Sequence, residues 1–336
     1  MRAFLLAFTA LSFLFPFMSP VQVQSALQSP LDRERGVALY KEGQAEEAVK
    51  VLKKVVKQSP RDELAWEALG LALIQTLDLK SAIKSFETAI SLNPSRASAH
   101  VGLSYALLMR NKTREAMRAA QVALDINPGL ADAYYIVAVI NLRKEAFEEA
   151  LQATETAINL KPHLAMAHLV KSQVILALLG DVSAMEETSK ARISRYVAAL
   201  EALERFFQLN PNHEVESSLR EQLESLRFYV KALRSSASDE AVYWAKEVST
   251  KAKVLSKPLP DYTEVARNHL VSGTVILRVV FSHDGTVKHP LVIRGLPDGL
   301  TENSIKAALK IRFNPAQLDG RPVSSIVQVE YNFEIY

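Results

Sequence analysis

The chain has no cysteine among its 336 residues, and this absence narrows its chemistry. Without cysteine there is neither a disulfide framework nor a lipid-modified cysteine anchor, and a structural zinc site is disfavoured. The seven histidines show no metal-ligand spacing, and His163 and His168 lie five residues apart, which would not place them on one helix face. We therefore expect no metal site and no cofactor.

The motifs of common enzyme classes are also missing. The sequence contains no glycine-rich phosphate loop, no HExxH pair and no GxSxG elbow. Ser282-His283-Asp284 has the residue types of a catalytic triad, but adjacent residues of a strand and turn cannot converge on one substrate atom. We predict a protein without catalytic residues, without a small-molecule substrate and without enzymatic activity.

Neither sign of charge is in large excess. The formal net charge is +3, and Lys and Arg are spread among Asp and Glu in nearly every segment, so no basic stripe points to nucleic acid. With 49% hydrophobic residues and low glycine and proline counts, the composition is that of a soluble globular protein with room for two domains.

The one long apolar run lies at the N-terminus. Arg2 precedes an apolar stretch from Ala3 to Met18, and small residues follow at Ser25 and Ala26. This order is typical of a secretory signal peptide over residues 1–26. The run is short for a membrane span of about 20 residues, although it could still form an N-terminal anchor. Both interpretations predict that the protein is exported. A cleaved signal peptide would leave it free in the periplasm, and an N-terminal anchor would hold it in the inner membrane, facing the periplasm.

A constant period governs the middle of the chain. Prolines that close similar stretches stand at Pro60, Pro94, Pro128, Pro162 and Pro211, the first four of them 34 residues apart. Twelve residues before each proline is an alanine, namely Ala48, Ala82, Ala116, Ala150 and Ala199. Small side chains at these positions let two helices cross closely. A period of this length indicates stacked helical hairpins.

The second stretch carries the most complete pattern, with Trp66, Leu69, Gly70, Ala82, Phe86, Ala89 and Pro94 at the expected positions. It resembles the tetratricopeptide-repeat family, and the resemblance covers residues 29–234. Asp32 and His100 depart from the pattern at the tryptophan position.

The gap from Pro162 to Pro211 predicts an extended second helix in the fifth hairpin. An apolar stripe from Val215 to Leu233 predicts either a capping helix or a dimerising helix.

Residues 235–257 are predicted to be a linker with one short helix, Asp239 to Lys253, around Trp244.

After Pro260 the apolar period changes to two. Gly273–Phe281 and Val287–Ile293 are predicted to be strands joined by an Asp284-Gly285 turn. Asp319-Gly320 predicts a second hairpin, and Leu300 to Leu309 predicts a helix with Thr301 as its cap. The fold class is therefore α+β and multidomain: an all-α solenoid followed by a small α+β domain.

The order of these C-terminal landmarks resembles the TonB C-terminal domain, over residues 258–336. The matching residues are Pro260-Asp-Tyr262, Ala266-Arg267, Gly273-Thr-Val275, Asp284-Gly285-Thr-Val287, Arg312-Phe313-Asn-Pro315-Ala316 and Asp319-Gly-Arg-Pro322-Val323. Thr263 stands where the family usually has proline, and Ile311 where an aromatic residue is common. The motif residues singled out are Tyr262, Arg267, Gly273, Arg312, Phe313 and Pro315.

The TonB resemblance implies a periplasmic domain that pairs with a short segment of an outer-membrane transporter by strand addition at a sheet edge. Ser325 to Phe333, or a neighbouring strand, is the predicted edge. The alternative is that its apolar residues only cover the domain's own helix. Arg267, Arg312 and Phe313 are expected to determine the fold rather than to contact a partner.

The tetratricopeptide resemblance implies a groove lined by the first helix of each hairpin. The corresponding residues are Tyr40, Glu67, Leu71, Ile74, Val101, Tyr105, Leu108, Tyr135, Val139, Leu142, Arg143 and Leu169. This groove is mostly apolar and predicts a hydrophobic peptide or helix as its guest. The alternative is that the chain's own helix around Trp244 occupies it.

These patterns predict a non-enzymatic periplasmic adaptor that binds envelope proteins or peptides through both surfaces. The alternative is a TonB-type energy transducer, anchored in the inner membrane, coupled to a motor there and driving outer-membrane transport. A histidine in the apolar segment and a long proline-rich spacer, both typical of such transducers, are missing.

Overall fold

The computed structural model describes residues 20–180, 189–211, 217–234 and 241–335. Residues 1–19 of the predicted leader and the predicted break at Ser235 to Ser238 lie outside this part of the chain. None of the helices in the described part combines the length and apolarity needed to cross a membrane. The chain divides into two compact units, Met1–Ile140 and Asn141–Tyr336.

The first unit is a series of helical hairpins, as the period predicts. Its helices are α1 Pro20–Lys41, α2 Ala45–Gln58, α3 Glu63–Gln75, α4 Leu79–Leu92, α5 Ala97–Met109, α6 Thr113–Ile126 and α7 Ala131–Arg143, the last ending in the second unit. The repeated small residues are its contact points. Ala48, Ala82 and Ala116 are fully buried. A methyl group added at Gly70 or Gly102 would lie 2.7 or 2.3 Å from the Phe86 ring, so the ring requires glycine at both positions.

The turns inside the hairpins share a backbone conformation that recurs with the same period. Gly43, Leu77, Asn111 and Glu145 all have positive φ, between 58° and 78°. In each turn the next residue's N–H bonds a carbonyl five residues back, such as Asp78 N to Leu73 O at 3.0 Å. This is the left-handed C-terminal cap of a helix, which glycine adopts most easily. Only the first turn uses glycine.

The second unit begins with the remaining repeat helices. They are α8 Phe147–Leu160, α9 Ala165–Leu179, α10 Ser189–Leu209 and α11 Ser217–Arg234. The 21 residues of α10 confirm the predicted extended helix. On α11, Leu223, Leu226 and Val230 are buried, and the helix packs on α10 and on a strand of the C-terminal domain. The apolar stripe is thus covered within the chain, as expected of a capping helix.

The C-terminal part is a mixed sheet with two short helices. Its elements are β1 Val242–Trp244, β2 Lys253–Ser256, α12 Glu264–Asn268, β3 Gly273–Phe281, β4 Val287–Arg294, α13 Leu300–Ala308, β5 Arg312–Asn314, β6 Ala316–Leu318 and β7 Arg321–Phe333. The strand order is β1-β7-β3-β4, with β6 also on β7 and with β2 and β5 as a separate pair. Both predicted hairpins, β3–β4 and β6–β7, are confirmed.

Two local predictions were wrong. The segment around Trp244 forms β1, which pairs in parallel with β7 from Val242 opposite Ser324 to Trp244 opposite Ile326. A β-branched residue followed by two aromatics favours a half-buried strand, and β7 supplies the edge. Thr301 does not cap α13, whose cap is Gly299. The Thr301 hydroxyl instead donates to Leu296 O at 2.7 Å and closes the preceding loop.

Both faces of the sheet are covered by helices. Alternate residues of β3, from Val275 to Phe281, pack with α13 in one core. The residues between them, Ile276 and Val280, pack with α9, α10 and α11 in a second core. This explains why β3 reads as a nearly continuous apolar run. The C-terminal sheet is therefore packed directly on the last repeat helices.

The charged residue Arg278 is buried at this second core. It is only 5% exposed, and its guanidinium donates to the Tyr196 hydroxyl at 2.7 Å and to the carbonyl of Leu179, the last residue of α9. Tyr196 in turn stacks on Tyr229, with ring centroids 5.6 Å apart and planes inclined by 4°. A strand of the sheet, the end of α9 and the long helix α10 thus meet at one buried hydrogen-bonded cation.

Further contacts hold β4 against the same helices. A methyl group added at Gly180 would lie 2.5 Å from Ile293, which shows how closely the end of α9 approaches the strand. The side chain of Gln222 on α11 accepts from Val292 N at 2.6 Å and donates to Pro290 O at 3.4 Å. It therefore occupies two backbone groups of β4, which protects part of this strand from edge-to-edge pairing.

We predict that Leu77→Gly stabilises the protein. Leu77 is 70% exposed and has a φ of 58°, so the change relieves backbone strain and removes few contacts. The expected gain is about 0.5–1 kcal/mol in the free energy of unfolding, measured by denaturant titration. The control Glu87→Gly, at an exposed position inside α4, should lose about 0.5–1 kcal/mol. A lower free energy of unfolding in Leu77→Gly would contradict the inference that the backbone is strained at Leu77.

The stacked tyrosines give a matched pair of substitutions with opposite expected signs. Among the described residues the Tyr229 hydroxyl has no hydrogen-bond partner, and burial raises the pKa of this phenol well above its usual value. We expect Tyr229→Phe to raise the free energy of unfolding by about 1 kcal/mol. Tyr196→Phe should lower it by about 1–3 kcal/mol, because it removes a partner of buried Arg278. Equal effects in thermal unfolding would contradict this role for Tyr196.

Candidate functional site

The first candidate surface lies on the first helices of the hairpins. Within the first unit, six of the sequence-predicted groove residues are uncharged and keep part of their side chains exposed. They are Tyr40, Leu71, Val101, Tyr105, Tyr135 and Val139. The most exposed is Tyr105, at 36%. We name these six residues the aromatic groove, because three of them are tyrosines.

Other predicted groove residues have different roles. Ile74 and Leu108 are 9% and 3% exposed and belong to the core rather than to a contact surface. Glu67 forms an ion pair with Arg96 at the start of α5. In the second unit, Leu169 is buried, Leu142 is half-buried and Arg143 is exposed. Helical spacing predicts on which side of a helix a residue lies, but it does not predict how deeply the side chain is buried.

The aromatic groove is uncharged at neutral pH. Burial and, to a smaller extent, the neighbouring Tyr105 raise the pKa of the Tyr40 phenol. Both effects favour the neutral hydroxyl, which can donate a hydrogen bond while its ring offers apolar contact. Such a surface suits an apolar or aromatic segment of a partner.

Tyr262, Phe313 and Gly273 of the TonB-like motif hold the C-terminal fold together. The Tyr262 hydroxyl donates to the Val271 carbonyl, and its ring meets Phe333 edge to face at 5.6 Å. Phe313 is buried and stacks on Phe281 at 4.0 Å. At the start of β3, Gly273 has a φ of 141°, a conformation that side chains disfavour.

Arg267 and Arg312 are exposed at the surface. The guanidinium of Arg267 lies over the Tyr262 ring, 4.9 Å from its centroid, while Arg312 lies on β5. Pro315 is half-buried in the single-residue gap between β5 and β6. The motif residues thus do not converge on one binding point.

The second candidate surface is an open edge of β7. This strand pairs with β3 from Ser325 to Phe333, while β1 pairs with residues 324–326 on its other side. Among the strands that the structure describes, none pairs with Val327–Phe333 on the side opposite β3. The open edge is therefore shorter than the predicted Ser325–Phe333. We name Val327–Phe333 the β7 edge.

One side chain already contacts this edge. The Lys257 ammonium donates to the Glu330 carbonyl at 2.6 Å and lies over the Tyr331 ring, 4.7 Å from its centroid. Tyr331 is itself buried, and burial raises the pKa of its phenol to about 12. At the end of β7 an open cavity of about 580 Å³ is lined by residues that include Tyr262, Arg267 and Phe333.

Sequence reasoning missed three residues that matter here: Arg278, Lys257 and Gln222. A signal existed for Arg278, which is the only charged residue in the apolar run Gly273–Phe281. Lys257 and Gln222 act on backbone groups far away in the chain and leave no local signature. In the described part of the chain no cluster of three metal-ligating side chains is found.

Comparison with protein families gives two matches. The family described as "Gram-negative bacterial TonB protein C-terminal" matches residues 258–335. The tetratricopeptide-repeat family matches residues 33–84 and 75–131. Comparison with curated proteins gives no match.

Several solved structures are similar to part of this chain. A crystal structure of MamA is 23% identical, covers 52% of this chain and 96% of its own, and has a TM-score of 0.42. TTC0263, a thermophilic tetratricopeptide protein of Thermus thermophilus, is 16% identical, covers 59% and 98%, and has a TM-score of 0.48. YrrB, described as a tetratricopeptide protein with an unusual peptide-binding site, is 17% identical, covers 54% and 86%, and has a TM-score of 0.36.

The hairpins match the repeat family and the mixed sheet matches the TonB C-terminal family, and both families are made of interaction domains rather than catalytic ones. The chain therefore joins tetratricopeptide repeats to a TonB-type C-terminal domain, and it is a protein-interaction module.

Proposed function

We propose that this protein is a non-enzymatic adaptor exported to the periplasm of a Gram-negative-type envelope. Its β7 edge adds an extended segment of an envelope protein, such as an outer-membrane transporter, as a further strand. Its aromatic groove holds a second protein or peptide. The observation that carries the proposal is the unpaired β7 edge in a TonB-type domain.

The backbone of the β7 edge is suited to strand addition. The Glu330 carbonyl bonds Lys257, so it faces away from β3, and the N–H of the same residue points to the same side. The same alternation turns the backbone groups of Gln328 and Asn332 toward this edge. A guest strand would therefore meet outward-facing donors and acceptors at every second residue, with the Glu330 carbonyl bonded by Lys257.

Lys257 acts as a removable cover on this edge. Its side chain is exposed at the surface, and its ammonium occupies a carbonyl that a guest strand would use. A single flexible side chain gives an edge some protection against unspecific pairing. A guest strand can donate a backbone N–H to the Glu330 carbonyl in place of the Lys257 ammonium. No strand of the domain has to unfold for this exchange.

The aromatic groove supports the second half of the proposal. Tyr40, Tyr105 and Tyr135 present rings with polar ends and lie on the first, third and fourth hairpins. Aromatic side chains of this kind are enriched at protein interfaces because they contribute large contact area and a hydrogen bond. Export is supported by the apolar run from Ala3 to Met18, which follows Arg2.

Site-specific photo-crosslinking of the full-length protein in its own cells tests the proposal. A photoreactive residue at Asn332, an exposed position on the β7 edge, is expected to capture an envelope protein. The yield should rise in Lys257→Ala, because the edge is uncovered. It should fall in Glu330→Pro, which removes an outward N–H but no hydrogen bond to β3.

The control places the same photoreactive residue at Lys306 on α13, an exposed position away from the β7 edge. Capture of the same protein with equal yield from Asn332 and Lys306 would contradict strand addition. So would a yield that neither Lys257→Ala nor Glu330→Pro changes.

The compartment is tested on the same cells by fractionation and intact-mass measurement. The expected form lacks about 26 N-terminal residues and is recovered from the periplasm. A full-length mass in the inner-membrane fraction would instead support the energy transducer. Recovery from the cytoplasm would contradict export.

A further inference from the structure

A second cavity in the C-terminal part of the chain has an unusual set of charges. Its volume is about 350 Å³, within the range of small-ligand sites. Among the described residues that line it, four are cationic, namely Arg192, Lys246, Lys251 and Arg278, and none is acidic. We name it the basic cavity. It adjoins β7 at residues 325–328 and shares no lining residue with the cavity at the end of that strand.

Arg278 brings a buried positive charge to this cavity. Its hydrogen bonds go to a tyrosine hydroxyl and to a backbone carbonyl, both of them neutral, and the structure gives it no carboxylate partner in the described part of the chain. Buried charges in proteins are normally paired with an opposite charge. Because a guanidinium has more N–H groups than these two bonds use, Arg278 can still bind an anion.

A second buried guanidinium lies close by. Arg192 is 4.5 Å from the centroid of the Trp244 ring, and Arg278 is 5.5 Å from the same centroid. Both arginines are less than a tenth exposed. Each guanidinium carries a positive charge, so the two together attract an anion to the adjoining cavity.

The loop that carries Lys246 and Lys251 is fixed in place. Glu247, the acidic residue of this loop, accepts from Trp244 N at 2.8 Å, so its carboxylate is engaged on the backbone. Thr250 exchanges two backbone hydrogen bonds with Gln317, at 3.0 and 2.8 Å. The two lysines are exposed at the mouth of the cavity and are held there by the fold. Such pre-organisation lowers the entropy lost on binding.

Gln328 adds a polar feature on the same face. It pairs with Arg278 across β3 and β7, and its side-chain Oε1 is buried without a hydrogen-bond partner among the described residues. This oxygen can accept a hydrogen bond from a hydroxyl or N–H group of a ligand.

We propose that the basic cavity binds a small organic anion through its carboxylate or phosphate group. Arg278 and Arg192 contact the anion from the buried side, and Lys246 and Lys251 contact it from the mouth. The inference does not depend on the proposed function, since it concerns a small ligand rather than a strand on the β7 edge.

Isothermal titration calorimetry of the full-length protein tests the basic cavity. The probes are inorganic phosphate and succinate, titrated against sodium chloride at matched ionic strength. We expect saturable binding of at least one probe. The Lys246→Ala/Lys251→Ala variant should bind about tenfold more weakly, because each lysine contributes a charge-assisted hydrogen bond. The charge-retaining Lys246→Arg/Lys251→Arg variant should keep the affinity.

The matched control is Lys306→Ala/Lys310→Ala, which removes the same charge from exposed positions at and just beyond the end of α13, on the other face of the sheet. It should leave binding unchanged. Binding of phosphate alone would identify a phosphate-bearing ligand, and binding of succinate alone a carboxylic acid. Absence of saturable binding by both probes, or equal weakening in the control variant, would overturn the proposal.

Discussion

The C-terminal sheet has two apolar faces, and the structure depends on covering both of them. From Val275 to Phe281 on β3, successive residues point to opposite faces, and both sets are apolar apart from Arg278. Helix α13 covers one face, while α9, α10 and α11 cover the other. Without the repeat helices, Ile276, Val280 and Ile293 would face water and Arg278 would lose both of its hydrogen-bond partners. The TonB-type domain is thus completed by the end of the repeat domain.

This packing has consequences for a protein-interaction module. The β7 edge lies on a sheet that is fixed to α9–α11, so a strand added there would be held at a defined orientation to the last repeat helices. The same packing buries Arg278 and brings it to the basic cavity. Arg278 therefore contributes both to the packing of the sheet and to the charge of the cavity. Lys246, Lys251 and Lys257 are exposed, so they can be replaced without disturbing the core.

Local patterns predicted the elements, and long-range contacts decided the rest. The 34-residue period predicted the hairpins, and Asp-Gly turns with alternating apolar residues predicted β3, β4 and β7. The left-handed turns at Leu77 and Glu145 escaped prediction because no glycine marks them. Strand β1 was mistaken for a helix because its partner lies about 80 residues away on β7. The depth of Ile74 and Leu108 depends on neighbouring hairpins, which helical spacing alone does not reveal.

The central claim is that the last repeat helices and the C-terminal sheet form one cooperative structure. Native-state hydrogen exchange of the full-length protein, followed by mass spectrometry, tests it most directly. The account predicts that amides of β3 and β7 and those of α10 and α11 open with free energies that agree within about 1 kcal/mol. If the helices exchange through an opening that leaves the sheet fully protected, with a gap of several kcal/mol, the claim is contradicted.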